Sequence, residues 1–423
     1  MESEKLGEMA SVTAGTSPKG ELINSQGLGF PFFQGTKEFG DLFPTAVRFT
    51  EHPVRVAKKG EILIGVRAPV GEVNFATEDS AIGRGVMAVK AKNPEHVNFL
   101  FYFLKNLEGK WDSLGSTGSV FENLSASTLR EISVPGGLHK KQIGDVLLNI
   151  DLKIHANRSL SKTLEGIAQT VFKSWFVDFD PVKAKMSGIK PAGMSDDVVA
   201  LFPDSMEETD GGLFPMGWTR DYLGKHISVT KGKSYKSSEL KDSETALVTL
   251  KSFARGGGYR FDGLKAFSGD YKAEQVVEPG ELVVSFTDVT QAADVIGKPA
   301  IVLGNPKFSR LVASLDVGIV RPKSTKVGTY FLNQLFLTSM FNSHVRGYTN
   351  GTTVLHLGKG ALEDFMFPLP SIRILEAFEE FAKSIFGQIQ SLYLQNLNLQ
   401  DLRDSLLPRL ISGELQIPEK MLA

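Results

Sequence analysis

Basic and aromatic side chains are interleaved between Lys231 and Lys272. In this segment nine Lys and Arg residues stand against five Asp and Glu residues, a local charge of +4. Cationic side chains of this kind neutralise nucleic-acid phosphates, and Arg, Lys and Tyr also contact base edges and faces. The segment is therefore a candidate nucleic-acid surface. Its candidate contacts are Lys231, Lys233, Tyr235, Lys236, Arg255, Tyr259, Arg260 and Lys265.

Turn-rich segments in the first third of the chain carry a second, more dispersed set of candidate DNA contacts. Taken singly, each of these residues is as readily explained as a solvated surface group. Only the clustering between Lys231 and Lys272 exceeds that expectation. The dispersed candidates are Lys19, Gln34, Lys37, Arg48, Arg67 and Arg84.

Motifs for catalysis and for metal binding are missing from the sequence. There is no phosphate-binding Gly-x-x-x-x-Gly-Lys-Ser/Thr, no Gly-x-Ser-x-Gly elbow and no pair of histidines at i,i+4. The chain has no cysteine, which removes disulfides, thiolate zinc sites and cysteine nucleophiles together. We therefore predict a chain that is not an enzyme, with no catalytic residue, no metal site and no cofactor of its own.

Composition sets the remaining limits. The 423 residues leave room for two or three domains, and 42% hydrophobic with 22% charged residues is ordinary for a soluble protein. No apolar run approaches the roughly 20 residues of a membrane helix, and the charged N-terminus is unlike a signal peptide. These features predict a cytoplasmic protein without a membrane partner. Because the net charge is only −1, a role in DNA binding depends on local patches.

Two long helices are predicted, over residues 138–180 and 371–415. In each, apolar residues alternate at intervals of three and four, the pattern of a helix that pairs with another. We expect Pro408 to end or kink the second helix. A shift of 239 positions superposes the two patterns. The residues predicted to pair the helices are Ile150, Asn157, Leu160, Leu164, Ile167, Val171, Trp175, Ile389, Leu392, Asn396, Leu399, Leu406 and Leu410.

The segments before the helices repeat one another. Residues 1–137 and 218–370 are each predicted to form a mostly-β module with short helices, with residues 181–217 as a linker and 416–423 as a tail. The repeat is carried by matching sequence segments, while most residues between them differ. Two modules that share a frame but differ in detail suggest two related but different ligands. The matching pairs are Gly60–Ile64 with Gly280–Val284, Thr117–Phe121 with Asn350–Val354, and Leu129–Pro135 with Leu362–Pro368.

Taken together, these segments resemble the DNA-specificity subunit of type I restriction-modification systems over essentially the whole chain. The resemblance is carried by Gly60–Ile64 with Arg67–Gly71, by Leu160–Pro181, by the approach to Gly217 and Trp218, and by Leu399–Leu415. Each segment alone is weak, and the combination is specific. One departure is Arg403, which stands where Leu164 stands in the first helix.

The resemblance implies an α+β fold with an internal pseudo-two-fold repeat. Two mostly-β target-recognition domains with short helices would be separated by two long helices, which pair as an antiparallel coiled coil. Each domain would read one half of a bipartite, asymmetric site in double-stranded DNA. The helices, through the same pairing residues, would act as the spacer and as a docking platform for two modification (methyltransferase) subunits. ATP-dependent restriction subunits would join them, and S-adenosylmethionine, ATP and Mg would belong to these partners.

Two other interpretations remain open from the residues alone. The chain could be a coiled-coil protein-interaction scaffold without DNA specificity, which would show no salt-dependent affinity for DNA. It could also be a fused methyltransferase with an unrecognised motif, which would bind S-adenosylmethionine as an isolated chain.

Overall fold

The structure is a computed structural model that describes residues 3–111, 124–137, 139–209, 212–290, 292–324 and 326–418. The chain forms two compact units, Met1–Ala156 with Gln395–Ala423, and Asn157–Leu394. Both unit boundaries fall inside long helices, so each unit contains part of both helices. These units are defined by contacts between residues, and each combines a module with parts of both helices. The limits predicted above for the separate domains therefore stay a prediction.

The chain begins with a β module and continues into the first long helix. Leu138, where that helix was predicted to start, lies outside the described residues. The elements of this part are β1 (Ser3–Lys5), α1 (Leu6–Met9), β2 (Ala10–Ala14), β3 (Phe30–Phe33), β4 (Phe49–Thr50), β5 (Val56–Ala57), β6 (Ile62–Gly65), β7 (Val73–Phe75), β8 (Ser80–Ile82), β9 (Val86–Ala91), α2 (Val97–Asn106), α3 (Ala126–Glu131), β10 (Ser133–Pro135) and α4 (Lys140–Phe176).

Two four-stranded sheets build the first module. One has the antiparallel order β2-β9-β6-β7, and the other has the order β4-β3-β8-β5 with a parallel pair, β3 and β8. Every residue of β6 is buried, which explains its unbroken apolar sequence. Helix α2 contributes Phe99–Leu104 to the core, where they meet Ile143 and Leu147 of α4. The module is thereby fastened to the first turns of the long helix.

A segment of short elements follows α4 and leads into the second module and the second long helix. These elements are α5 (Asp180–Met186), α6 (Asp196–Leu201), β11 (Met206–Thr209), β12 (Gly212–Pro215), β13 (Thr219–Tyr222), β14 (Ile227–Lys231), β15 (Thr245–Val248), β16 (Lys265–Ala266), β17 (Val276–Val277), β18 (Leu282–Ser285), β19 (Thr287–Asp288), β20 (Pro299–Ile301), β21 (Arg310–Ala313), β22 (Val317–Pro322), α7 (Thr329–Leu337), α8 (Ser339–Gly347), β23 (Thr349–Asn350), β24 (Leu355–Leu357), β25 (Met366–Leu369) and α9 (Ile372–Ser412).

The second module repeats the topology of the first. Its sheets have the orders β14-β22-β18-β20 and β16-β15-β21-β17, and β15 and β21 form the parallel pair. Strand β13 pairs with β25 as β1 pairs with β10. The predicted internal repeat is therefore confirmed, except that Thr117–Phe121 lies outside the described residues. A further sheet, β19-β24-β23, belongs to the second module.

The long helices pair within each unit. In the first unit, Asp151 of α4 contacts Arg403 of α9 at 2.6 Å. In the second unit, the rings of Phe172 and Phe378 lie 5.5 Å apart. Since positions rise along α4 while their partners fall along α9, the pairing is antiparallel, as the resemblance implied. The following residues of the predicted α4 seam are buried: Ile143, Leu147, Ile154, Asn157, Leu164, Ala168 and Trp175. That the predicted residues pair the helices stays a prediction.

Three details of the helix prediction are wrong. Leu160 and Ile167 are 47% and 43% exposed, so they do not pair the helices. Ile167 precedes the buried Ala168 by one position, and Leu160 precedes Ser161, which lies in the same heptad row as Ile154 and Ala168. One position along a helix turns a side chain by about 100°. That Pro408 ends α9 is wrong, because the helix continues to Ser412, whereas the alternative of a kink at Pro408 stays a prediction. A proline removes one backbone hydrogen bond, and the buried residues around it, Leu407, Leu410 and Ile411 among them, hold the helix in place.

No helix in the described part of the chain combines the length and the apolar character needed to cross a membrane.

Candidate nucleic-acid interface

In the first module, several candidate DNA contacts meet where four loops converge. The Ser17 hydroxyl donates a hydrogen bond to Gln34 Oε1 at 3.1 Å and accepts one from the Arg84 amide at 3.3 Å. The Val66 amide donates to the Gly85 carbonyl at 3.0 Å, which places Arg67 beside the same loops. Gln34, Arg67 and Arg84 are far apart in sequence, and the backbone brings them together.

Glycine makes this convergence possible. A Cβ atom on Gly85 would lie 2.4 Å from the Gln34 carbonyl oxygen, and one on Gly15 would lie 2.2 Å from the Gly83 carbonyl oxygen. Both distances are far shorter than van der Waals contact, so any larger residue would push the loops apart. The loop ends are therefore held close together by backbone contacts.

The candidates of the first module differ in their freedom to contact DNA. Lys19, Lys37, Arg67 and Arg84 are exposed, and Gln34 is half-buried. The Arg48 guanidinium instead pairs with the Glu38 carboxylate at 2.8 Å and lies over the Phe32 ring at 5.6 Å.

This pairing gives Arg48 a structural task. The Glu38 side chain is only 4% exposed, and a buried carboxylate without its cation is costly. Arg48 is therefore the weakest candidate DNA contact of its set. If its guanidinium moved to DNA, the buried Glu38 carboxylate would lose its cationic partner.

In the second module, the clustered candidates separate into two groups. The first group surrounds β15 and β16. There the Lys265 ammonium lies 5.9 Å from the centre of the Tyr235 ring, and the Lys233 amide donates to the Ala313 carbonyl at 2.7 Å. Lys231 and Lys236 are exposed, whereas Lys233, Tyr235 and Lys265 are half-buried. This group presents cations on an aromatic platform, an arrangement suited to phosphates and bases.

The second group lies in the loop at 254–260, which approaches α4. A bridge between Phe253 and Tyr259 closes this loop. The Tyr259 hydroxyl is buried and lines a cavity of about 230 Å³ together with Lys162, Glu165 and Gln169 of α4. Burial raises the pKa of the Tyr259 phenol above its usual range. We withdraw Tyr259 from the candidate DNA contacts, because its polar end faces the helix side of the module.

Arg255 and Arg260 have acidic neighbours within this group. Arg260 Nε donates to Asp262 at 3.1 Å, and Arg255 Nε lies 3.9 Å from Asp294. The hydrogen bond from Arg260 lowers the pKa of the Asp262 carboxyl, although burial partly opposes this shift. The positive field of the segment is therefore weaker around these two arginines than its composition suggests.

A stripe of exposed apolar residues runs along each long helix. On α4 it contains Leu152, Leu160 and Ile167, and on α9 it contains Leu394 and Leu402, all between 37% and 47% exposed. Spacings of seven and eight keep such residues on one helix face. We call this set the helix stripe. Exposed apolar residues in such an order are typical of a docking surface for another helix.

The sequence reasoning missed part of this stripe. Leu152, Leu394 and Leu402 were not selected, although their helical spacing with each other and with Leu160 could have identified them. The other pairing candidates are buried or half-buried. They are Ile150, Asn157, Leu164, Val171, Trp175, Ile389, Leu392, Asn396, Leu399, Leu406 and Leu410.

Among the residues that the structure describes, His, Asp and Glu side chains form no group of three or more that could hold a metal ion. That this chain binds no metal stays a prediction.

Comparisons with known proteins agree on one family. Residues 1–165 match the family model described as "Type I restriction modification DNA specificity domain". The type I restriction enzyme MjaIX specificity subunit of Methanocaldococcus jannaschii is 24% identical, and the match covers 98% of this chain and 94% of that protein. The HindI specificity subunit of Haemophilus influenzae is 25% identical over 70% of each chain. The crystal structure of the S subunit from M. genitalium has the same fold, with a TM-score of 0.55 and 15% identity over 97% of this chain and 95% of that one.

Proposed function

We propose that this chain, which belongs to the family of DNA-specificity subunits of type I restriction-modification systems, reads a split site in double-stranded DNA. Each module would read one half, and the site would be asymmetric. The observation that carries this proposal is the repeated topology, with different candidate DNA contacts grouped on each module. In the first module Gln34, Arg67 and Arg84 converge, and in the second module Tyr235 and Lys265 lie together.

The side chains at these loops suit two kinds of contact. Exposed lysines such as Lys19 and Lys236 suit phosphates, which set affinity without sequence preference. Arg67 and Arg84 suit guanine O6 and N7, and Gln34 suits adenine N6 and N7. Reading of individual bases would therefore rest chiefly on the converging loops of the first module and on their counterparts in the second.

The long helices would set the distance between the half-sites. Helix α4 has 37 residues and α9 has 41, which corresponds to about 55–60 Å at ~1.5 Å per residue. Half-sites about one DNA turn apart are separated by ~34–36 Å. Helices of this length are sufficient to hold two reading modules at such a spacing.

The helix stripe would dock two modification subunits, and ATP-dependent restriction subunits would join the complex. The stripe supports this proposal because Leu160 and Ile167 are exposed although they lie next to the buried seam. S-adenosylmethionine, ATP and Mg would act in those partners, and this chain would contribute recognition without catalysis. A protein-interaction scaffold without DNA specificity is not favoured, because the relatives are specificity subunits.

Selection from a random DNA library tests this function directly. The full chain, purified with its modification subunit, should enrich two short sequence blocks separated by a gap of fixed length. Binding should weaken as salt rises, because phosphate contacts release counterions. Enrichment of a single continuous block, or of no sequence at all, would contradict the proposal.

A further inference from the structure

A buried ionic cluster joins three helices of the first unit. The Asp151 carboxylate of α4 is only 4% exposed. Its Oδ1 accepts a hydrogen bond from Arg403 Nη1 of α9 at 2.6 Å, and its Oδ2 accepts one from the Tyr102 hydroxyl of α2 at 2.8 Å. The Lys105 ammonium of α2 lies 3.7 Å from Oδ2. Both carboxylate oxygens therefore have partners, and these partners come from different helices.

The charges in this cluster depend on one another. Burial lowers the pKa of Lys105, while the nearby Asp151 opposes that shift. Arg403 is shared between Asp151 and the exposed carboxylate of Asp404, at 2.7 Å. Removing the guanidinium would leave Asp151 buried with one weak cationic neighbour, which is strongly unfavourable. The cluster therefore tolerates little displacement of any of its three helices.

The second unit has no counterpart of this cluster among its described residues. The shift of 239 positions that superposes the helices places Leu164 at the position of Arg403 and Gln390 at that of Asp151. Leu164 is buried in the seam. Gln390 binds the backbone of Gly304, accepting from its amide at 2.8 Å and donating to its carbonyl at 3.2 Å. At the positions that match Asp151 and Arg403, the second unit therefore has a neutral amide and an apolar side chain in place of the ion pair.

We propose that Asp151, Arg403 and Tyr102 are positioning residues that fix the first module on the helix pair and thereby set the gap between the two DNA half-sites. This inference rests on the proposed reading of a split site. Hydrogen bonds to charged groups require particular distances and directions. Apolar contacts between two helices depend less on direction. Helix α2 carries Phe99–Leu104 into the module's core, so a displaced α2 would move the module with it.

The test uses the full chain with its modification subunit and DNA duplexes that keep both half-sites but vary the gap. The wild-type complex should prefer one gap length. In Arg403→Leu, discrimination against a gap one base pair longer or shorter should fall about tenfold, the factor expected from losing a hydrogen bond to a charged group. The bases preferred in each half-site should stay the same, because no reading loop is altered.

The matched control is Arg409→Leu on the same helix. Arg409 pairs with Glu414 at the surface, where both side chains are at least half exposed. This variant should keep the wild-type gap preference. A broadened gap in both variants would overturn the proposal, because a general loosening of α9 would then explain the result.

Two milder variants cover the case in which Arg403→Leu fails to fold. Tyr102→Phe removes one hydrogen bond and leaves the ion pair, so it should broaden the gap preference by a smaller factor. Arg403→Lys retains the charge and should restore most of the discrimination. If Arg403→Leu folds and discriminates gaps as the wild type does, the positioning role is wrong. If Arg403→Leu does not fold, a wild-type gap preference in Tyr102→Phe contradicts the positioning role in its place. If the wild type selects no split site, the proposed function itself fails, so the two failures are distinguishable.

Discussion

Glu165 is a half-buried carboxyl group on the side of α4 that lines the cavity beside Tyr259. Burial raises the pKa of Glu165, and the neighbouring Lys162 opposes the shift only in part. A carboxyl whose pKa is raised in the folded chain binds its proton more tightly there than in the unfolded chain. Its contribution to stability is therefore present at low pH and lost as the pH rises through the folded value.

Glu165→Gln should consequently be more stable than the wild type at pH 8. The difference should shrink as the pH is lowered towards 5, because the wild-type carboxyl then takes up its proton. The midpoint of denaturant-induced unfolding, measured across this range, gives the comparison. Glu380→Gln, the same substitution at an exposed position of α9, is the control for the exchange itself. A constant difference at every pH would contradict this account of Glu165.

Lys236 is exposed beside the Tyr235 and Lys265 pair, and we expect it to contact phosphate. Lys236→Ala should weaken binding to all sequences alike and reduce the slope of affinity against salt by about one unit. Lys58→Ala is the control, because Lys58 is exposed but already paired with Asp79 at 2.7 Å. Gel-shift titrations at several salt concentrations measure the DNA affinity of each variant and its dependence on salt. A changed base preference with an unchanged salt slope would instead identify Lys236 as a base-reading residue.

At the residue scale, the sequence shows which charged residues lie close along the chain. It does not show which of them form ion pairs with residues elsewhere in the fold. The segment from Lys231 to Lys272 was predicted as one patch, yet the fold divides it into two groups. The Tyr259 hydroxyl is buried, and Tyr259 lines a cavity together with residues of α4. Conversely, the meeting of Gln34 and Arg84 depends on a hydrogen bond through Ser17. No local pattern predicts such a contact.

At the element scale, helix α4 carries apolar residues on a buried face and on an exposed face. Leu164 is buried in the seam, and Leu160, one turn earlier, is exposed. Leu164→Asp should destabilise the chain by several kcal/mol, because it places a charge in an apolar interface. Leu160→Asp should leave the unfolding midpoint nearly unchanged and still abolish binding of the modification subunit.

This pair of variants needs two measurements on each protein. Denaturant unfolding reports the helix pairing, and size-exclusion chromatography with the modification subunit reports docking. The two variants carry the same substitution on the same helix, four positions apart, so each is the control for the other. If Leu160→Asp binds the modification subunit as tightly as the wild type does, the helix stripe is not the docking surface.

Long, regular elements were predictable because their signal repeats. Several heptads of apolar residues identified both helices, and the buried seam follows the predicted rows. The errors arose at flanking positions. Leu160 is apolar and lies one residue from the seam, so sequence alone did not show that it faces solvent. Pro408 was predicted to end or kink α9 because proline loses a hydrogen bond, yet the helix continues past it to Ser412, with Leu410 and Ile411 buried.

At the scale of the whole molecule, the repeat organises the chain. Matching segments such as Gly60–Ile64 and Gly280–Val284 predicted two copies of one module, and the identical strand orders confirm it. The strand orders themselves were not predictable. The parallel pairs β3–β8 and β15–β21 join strands that lie dozens of residues apart, and such pairing depends on the packing of the complete sheet.

The central claim is that each module reads one half of the DNA site and the helices set the gap. Its most direct test replaces residues 1–135 with the corresponding module of a relative and maps methylated adenines across a plasmid library in cells that contain the modification subunit. The frame segments Leu129–Pro135 and Leu362–Pro368 should still fix the modules to the helices. We expect one half of the methylated site to change while the other half and the gap stay as they were. A swap that alters both halves together would contradict the claim.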